Sequence, residues 1–270
     1  LLRDTFRRLL RRHAKTNIVK LIDKTHPSDL ALIFRYFNDS EQDAIFSSML
    51  ASEDTVKFLY ELDESIATRL IENETPERLA DIMEQASSNE QAFLMGLVSD
   101  QFASSVIDLL QAEEQEELEE MMAYPDDSAG ILMYTDVFTL HEETKAREAI
   151  YALQDQDDAE MVFYLYTLDD DARLTGVISL RDLVTTPGET MLKDIMSKNI
   201  QTVRPETDQE EVARIVSQYN FLAVPVVDAD EKLLGIVTVD NVVDVIREEA
   251  TEDFLQLAGA GKDREILLKS

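Results

Sequence analysis

No cysteine and no tryptophan occur in the 270 residues, and histidine appears three times. Without cysteine there is no disulfide framework, no thiolate metal site and no cysteine nucleophile, which suits a reducing compartment. Imidazole-bound metals are poorly served as well, because His13, His26 and His141 lie in different segments and read as surface or cap residues. No GxxxxGK[ST] loop is present, so nothing points to nucleotide hydrolysis. The longest apolar runs, Phe221 to Val227 and Met161 to Leu168, fall far short of the ~20 residues of a membrane helix. A signal-peptide pattern is missing too, and the first residue is Leu rather than Met, which reads as an excised piece of a longer protein. Cations are the remaining shortage: 25 Lys+Arg face 56 Asp+Glu, a net charge of −31. Such a surface repels phosphate backbones, so nucleic acid is excluded as a partner and counterions are obligatory.

An apolar content of 44% nevertheless argues for a folded chain of one large or two ordinary domains. The charge is unevenly placed. Residues 1–24 carry eight Lys/Arg and two Asp, a net of +6, whereas 25–123 carry a net of −19 and 124–270 a net of −18. Between Arg78 and Lys145 run 66 residues with 16 carboxylates and no Lys or Arg, including Glu113, Glu114, Glu116, Glu117, Glu119 and Glu120. A solvated face accounts for a charge run of this kind when nothing else accompanies it.

From Thr5 to Met122 the apolar spacing is helical throughout, as in Leu30, Ile33, Phe34 and Phe37 or Phe102, Val106, Leu109 and Leu110. The segment Pro27-x-x-Leu30-Ala31-x-Ile33-Phe34 returns as Pro76-x-x-Leu79-Ala80-x-Ile82-Met83, 49 residues on, a displacement that fits two helical hairpins per period. Residues 25–123 therefore read as a helical-repeat superhelix whose hairpins bury their apolar faces on one another.

After Tyr124 the period changes. Met161 to Leu168, the turn Asp169-Asp170-Asp171 and Leu174 to Leu180 return as Leu222 to Val227, Asp228-Ala229-Asp230 and Leu233 to Val239, displaced by 59 residues. Upstream, Val137-Phe138-Thr139 matches Ile200-Gln201-Thr202 with a displacement of 63, so the first copy carries four extra residues around Asp157 to Glu160. Each copy reads strand, helix, strand, strand, helix.

This pattern resembles the cystathionine-β-synthase (CBS) domain pair, whose signature lies in Leu174 to Leu183 and Leu234 to Val242. With the helical superhelix before it, Tyr124-Pro-Asp-Asp-Ser-Ala-Gly130, Thr207 to Arg214 and Glu249-Ala-Thr-Glu-Asp-Phe254, the chain resembles the cytosolic region of the MgtE-type bacterial magnesium transporters. The resemblance implies a fold of class α + α/β, an N-terminal all-helical superhelix followed by a tandem CBS pair. The domains are then 1–123, with a basic helix at 1–24, and 124–253, with CBS copies at about 133–190 and 196–253. The start of a connecting helix to a missing transmembrane domain would occupy 254–270. It also implies homodimerisation through the CBS pair and a location at the cytoplasmic face of the bacterial membrane.

The residues offer chemistry for this. Mg²⁺ prefers oxygen ligands and keeps several waters, so a few carboxylates from facing surfaces suffice. From Val239 to Phe254 an apolar face of Val242, Val243, Val245 and Ile246 is accompanied by Asp240, Asp244, Glu248 and Glu252 at every fourth position, with Glu249 and Asp253 beside them. Like charges at this spacing each cost a few tenths of a kcal/mol. A soluble helix could tolerate that cost, and a bound cation would relieve it. By resemblance, Asp244, Glu249 and Glu252 are Mg²⁺-sensing ligands, with Asp208 and Glu210 in support. The family usually has acids where this chain has Asn220 and Asn241.

CBS pairs also hold adenosine nucleotides. The resemblance implies ATP bound but not hydrolysed, with Tyr164 and Phe221 stacking the base, Arg181 near phosphate and Asp182, of Ser179-Leu-Arg-Asp182, at the ribose; as ordinary core, the two aromatics would need no ligand. The N-terminal helix sets Arg3, Arg7, Arg8, Arg11, Arg12 and Lys15 opposite Phe6, Leu9 and Leu10, and three readings fit it: packing on the protein's own acidic surface, solvation, or contact with a membrane surface. The combined expectation is a non-catalytic sensor in which Mg²⁺ bridges acidic surfaces and closes a pore. The alternative is an adenosine-nucleotide-sensing CBS module whose acidic helical domain recruits a basic protein.

Overall fold

The computed structural model describes residues 1–257 apart from Glu53, Gln85 and 156–162, and no side chain is described at Glu113, Glu248 or 251–257. The chain forms two compact units, Leu1–Met121 and the part from Met122 onward.

The first unit consists, among the described residues, of α1 (Leu2–Arg11), α2 (Lys15–Ile22), α3 (Pro27–Phe34), α4 (Asp39–Met49), α5 (Thr55–Tyr60), α6 (Glu64–Glu72), α7 (Pro76–Met83), α8 (Ser88–Gly96), α9 (Asp100–Ile107) and α10 (Ala112–Met122). None exceeds 11 residues, a length that is marginal for an isolated helix, so packing must hold them. Local chemistry sets their starts. Pro27 and Pro76 occupy first-turn positions that need no N–H, behind caps from His26 and Thr75, and Asn38 and Glu41 form a reciprocal capping box.

Successive odd-numbered helices stack, α3 on α5, α5 on α7 and α7 on α9. Leu30 and Phe34 are buried in α3, as Leu79 and Met83 are in α7, so the 49-residue displacement is a true repeat of two hairpins. A polar tie repeats with it. Gln42 Nε2 donates to the Phe34 carbonyl at 3.0 Å and Gln91 Nε2, 49 residues later, to that of Met83 at 2.9 Å. Gln115 does the same to Ile107 at 2.7 Å. Each amide satisfies a carbonyl that the end of a short helix leaves without an intrahelical partner.

The second unit contains α11 (Ala129–Leu132), β1 (Thr139–His141), α12 (Ala146–Gln154), β2 (Tyr164–Leu168), β3 (Leu174–Ser179), α13 (Leu180–Thr185), a 3₁₀ turn at Leu192–Asp194, α14 (Gln209–Tyr219), β4 (Ala223–Val227), β5 (Leu233–Thr238) and α15 (Val239–Leu257). β1 is parallel to β2, β2 antiparallel to β3, and β4 antiparallel to β5. Asp169 Oδ1 accepts the N–H groups of Asp171 and Arg173, and Asp228 Oδ1 those of Asp230 and Lys232, so both hairpin turns are built alike. The Arg173 N–H is the main cause holding the Asp169 carboxyl below its ordinary pKa. Ala172 (φ 61°) and Glu231 (φ 64°) take the left-handed position of the same turn.

The leading segments of the copies are exchanged. Tyr134, at the start of the first copy, bridges Ile236 in the second copy's β5, while Ser197, at the start of the second copy, bridges Val177 in the first copy's β3. Arg173 and Lys232, equivalent residues, bridge one another. Each copy thus completes the other, with Tyr166, Ala223 and Ile236 buried together in a cluster drawn from both.

Two expectations need correction. The first copy's leading strand begins at Thr139, not Val137, and Ile200–Thr202 forms no named strand: pairing there is a single parallel bridge, Val203 to Val226. A ladder continued upstream would need the N–H of residue 225 to donate to the Gln201 carbonyl, and Pro225 has none. In the first copy, where Tyr166 stands at that place, Thr139, Leu140 and His141 all pair with β2. The expected strand start at Met161, the insertion around Asp157 to Glu160 and the connecting helix beyond Leu257 lie outside the described residues.

The exchange leaves no room at the two equivalent glycines, Gly176 against Met196 and Gly235 against Tyr134. A Cβ on Gly235 would sit 2.5 Å from the Tyr134 carbonyl oxygen, whereas one on Gly96, at the end of α8, would meet nothing within 4 Å. In urea unfolding Gly235→Ala should destabilise the second unit by about 1–3 kcal/mol. Gly96→Ala should stabilise the first by about 0.5–1 kcal/mol. A neutral Gly235→Ala would contradict the exchanged packing.

Candidate functional site

The helix after each hairpin opens with the same motif, but its setting differs between copies. In the first copy Ser179 Oγ donates to Asp182 Oδ2 (2.7 Å) and accepts from the Asp182 N–H (3.1 Å), capping α13. Thr238 Oγ1 donates likewise to Asn241 Oδ1 (2.8 Å) in the second. Asp182 is exposed, whereas Asn241 is buried and its Nδ2 donates to the Leu132 carbonyl (3.3 Å). A carboxylate at 241 could not make that second bond and would bury a charge, so the amide fits where the family usually has an acid. Asn220 likewise has a local cause: it ends α14 in the left-handed region (φ 53°), where Asn is among the few tolerated residues.

In the first copy the motif's acid therefore faces solvent. Tyr164 pairs with Ser179 across β2 and β3, which brings its ring to the strand end from which Arg181 and Asp182 follow. Arg181 is exposed and has no ion-pair partner among the described residues. Phe221 is placed otherwise. Its ring stacks on Tyr219 (centroids 5.3 Å apart, planes 16°) and packs on the second copy's core, two residues before Ala223, which shares a cluster with Tyr164. The structure thus groups Tyr164, Arg181 and Asp182 directly and Phe221 only through β4. Tyr166, which sequence reasoning passed over, is buried 6.4 Å from the Tyr164 ring with no hydrogen-bond partner for its hydroxyl. Burial, with Tyr164 beside it, pushes that phenol's pKa up, so it stays a neutral donor.

On α15, Val242 and Val245 are buried, but Val243 and Ile246 are 45% exposed, which corrects the expectation of one continuous apolar face. α14 packs along α15 and covers only part of a stripe that those four residues spread too widely to bury together.

The acidic residues are distributed rather than gathered. Asp208 caps α14, its Oδ1 accepting the Glu210 N–H at 2.8 Å, and Glu210 follows with an exposed side chain. Between them Gln209 is buried and its Nε2 donates to Glu249 Oε1 at 2.9 Å. That bond draws Glu249 to the start of α14, near Asp208 and Glu210, where the helix dipole favours negative charge. Asp244 is half-buried beside Arg247 (3.4 Å) and lies about 140° around the helix from Glu249. The Glu252 side chain lies outside the described residues. Among the described residues no three His, Asp or Glu side chains converge on one point. The geometry suits a hydrated cation held by one or two carboxylates, not a closed cage. Gln209 had no sequence signal as a site residue, because its role appears only when α14 meets α15.

Comparisons with known proteins give the following. A family profile described as the MgtE intracellular N domain matches residues 25–127, and the CBS domain profile matches 129–188 and 192–248. The chain is 44% identical over 149 residues to the magnesium transporter MgtE of Enterococcus faecalis, covering 55% of this chain and 33% of that protein. To the MgtE of Bacillus subtilis it is 30% identical over 244 residues, 90% of this chain and 54% of that one. The chain thus spans about a third to a half of these curated relatives. Among solved structures, the soluble part of a magnesium transporter superposes with a TM-score of 0.80 at 28% identity, covering 92% of this chain and 98% of the other. The cytosolic domain of the Mg²⁺ channel MgtE in complex with ATP does so with a TM-score of 0.84 at 30% identity, covering 90% and 99%.

Proposed function

The chain belongs to the MgtE family of magnesium transporters, and on that premise we propose that it is a non-catalytic, Mg²⁺-sensing regulatory region. Mg²⁺ bridges acidic surfaces of the helical and CBS units and favours the closed pore of a membrane domain in the full-length protein, at the cytoplasmic face of a bacterial membrane. Among the described residues no helix is long and apolar enough to cross a membrane. One observation carries the reading: the 66-residue run with 16 carboxylates and no Lys or Arg continues across the boundary between the two units at Met121 and Met122. Charge of one sign on both sides of a joint opposes its closure, and a divalent ion that ligates carboxylates from each side reverses that. The ligands assigned are Asp244, Glu249 and Glu252, with Asp208 and Glu210 at the start of α14. The CBS pair forms a homodimer; supporting this, the equivalent residues Val184 and Val243 are exposed at 62% and 45% on the helices that end the two copies.

Small-angle scattering tests the bridging. At matched ionic strength the radius of gyration should fall when EDTA is replaced by Mg²⁺, and an unchanged value would contradict the reading.

ATP binding is the second part of the proposal. It is supported by the exposed Arg181 and Asp182, which follow the strand end that pairs with Tyr164, and by the relative whose structure was determined with ATP. Phe221, two residues before β4, contributes base stacking. Calorimetry should show ATP binding to the parent chain. Phe221→Ala should weaken it by roughly 1–3 kcal/mol, and Asp182→Asn, which leaves the core untouched, should weaken it too. Equal affinity in both variants would remove the site.

A further inference from the structure

The basic N-terminal helix is the feature the sensing reading does not absorb. Phe6 is fully buried, packed edge-on against Phe37, so α1 is docked on the first unit by its apolar side and is no free arm. Arg7 is committed inward: it donates to the Tyr36 carbonyl (2.7 Å), pairs with Glu41 (3.4 Å) and lies over the Phe37 ring. Arg8, Arg11 and Arg12 are exposed and have no ion-pair partner among the described residues, although 56 carboxylates are available in the chain. With Arg7 and Asp4 they line an open recess of about 450 Å³.

Arg8 therefore stands at i,i+3 from Arg11 and at i,i+4 from Arg12 with little compensation among the described residues. The helix dipole favours cations in the last turn and offsets part of their repulsion, but an external anion would offset more. Next to Arg3 and Arg7 the surface carries the exposed Tyr36, with the exposed Leu32 four residues before it in the chain. Tyr36 and Leu32 are 57% and 59% exposed, and the Arg3 guanidinium lies over the Tyr36 ring at 5.9 Å. Arginines next to an exposed tyrosine and leucine match a bilayer interface, where phosphate sits above acyl carbon, better than they match a dissolved anion.

We infer that the outer face of α1, with Tyr36 and Leu32, docks on anionic phospholipid at a membrane surface. The choice of a membrane rests on the transporter reading above. The rest of the chain, though acidic, does not forbid the contact: at physiological salt charges act over about 8 Å, and residues 1–24 carry a local net of +6. The apolar face of α1 is already spent on the protein core, so the contact is electrostatic with a shallow aromatic insertion.

The absence of tryptophan from the sequence makes the test clean. Tyr36→Trp places the sole indole at the docking face, in the full chain and in EDTA, so that Mg²⁺ sensing plays no part. With phosphatidylglycerol vesicles its emission should shift to the blue. With phosphatidylcholine vesicles, or with inorganic phosphate or tripolyphosphate at equal charge, it should not. Adding Arg8→Gln, Arg11→Gln and Arg12→Gln should weaken vesicle binding roughly a hundredfold, whereas Arg78→Gln, elsewhere on the unit, should leave it intact. No shift with anionic vesicles, equal loss with Arg78→Gln, or binding abolished by low-millimolar tripolyphosphate at constant ionic strength would each overturn the inference. Compaction by Mg²⁺ is read separately by scattering, so a failure here leaves the sensing reading standing, and a failure there leaves this one.

Discussion

Uncompensated negative charge is the condition under which residues 25–270 fold, and the basic segment 1–24 is the exception. With 25 cations for 56 carboxylates, pairing can neutralise fewer than half of them. Several of the pairs that form tie distant segments together: Arg69 joins α6 to Asp43 on α4, Lys145 and Arg147 both reach Glu189, and Lys193 meets Glu143. Exposed pairs of this kind contribute little to stability, typically below about 1 kcal/mol. Cohesion comes instead from apolar faces and from amide and hydroxyl bonds that carry no charge, such as the Gln42, Gln91 and Gln115 ties in the first unit and the Thr238–Asn241 contact in the second. The carboxylates left over face outward, and their repulsion depends on the ions around them.

The fold was largely legible because its signals are local. Proline at a helix start, apolar residues at helical spacing and an Asp-rich turn between β runs each act within a few residues, so the 49-residue repeat and the two hairpins follow from inspection. What could not be read is what depends on distant partners. The exchange of Tyr134 and Ser197 between copies leaves no mark on either segment alone. The shortened strand before Pro225 is different: the missing N–H was visible, but its effect requires knowing that Val203 pairs beside it.

The candidate sites divide along the same line. Tyr164, Arg181 and Asp182 fall on one hairpin and the helix it leads into, so a local motif brought them together. Glu249 reaches the start of α14 through Gln209, a contact across 40 residues. Helical spacing put Val243 and Ile246 on the core face with Val242 and Val245, yet only the latter two are buried. The unpaired arginines of α1 are the opposite case. Their charge was obvious from sequence, but that Arg8, Arg11 and Arg12 find no ion-pair partner among the described residues, while Arg3 lies over an exposed tyrosine, is a tertiary fact.

The central claim is that Mg²⁺ acts at particular carboxylates of α15 and not through bulk charge. Limited proteolysis near Tyr124, at the joint between the units, tests this most directly when the parent is compared with two variants of equal charge change. One carries Asp244→Asn, Glu249→Gln and Glu252→Gln; the other carries Asp170→Asn, Asp171→Asn and Asp230→Asn in the exposed hairpin turns. Mg²⁺ should protect the joint in the parent and in the turn variant, and protect it much less in the α15 variant. Equal protection in all three, or equal loss in both variants, would contradict the account.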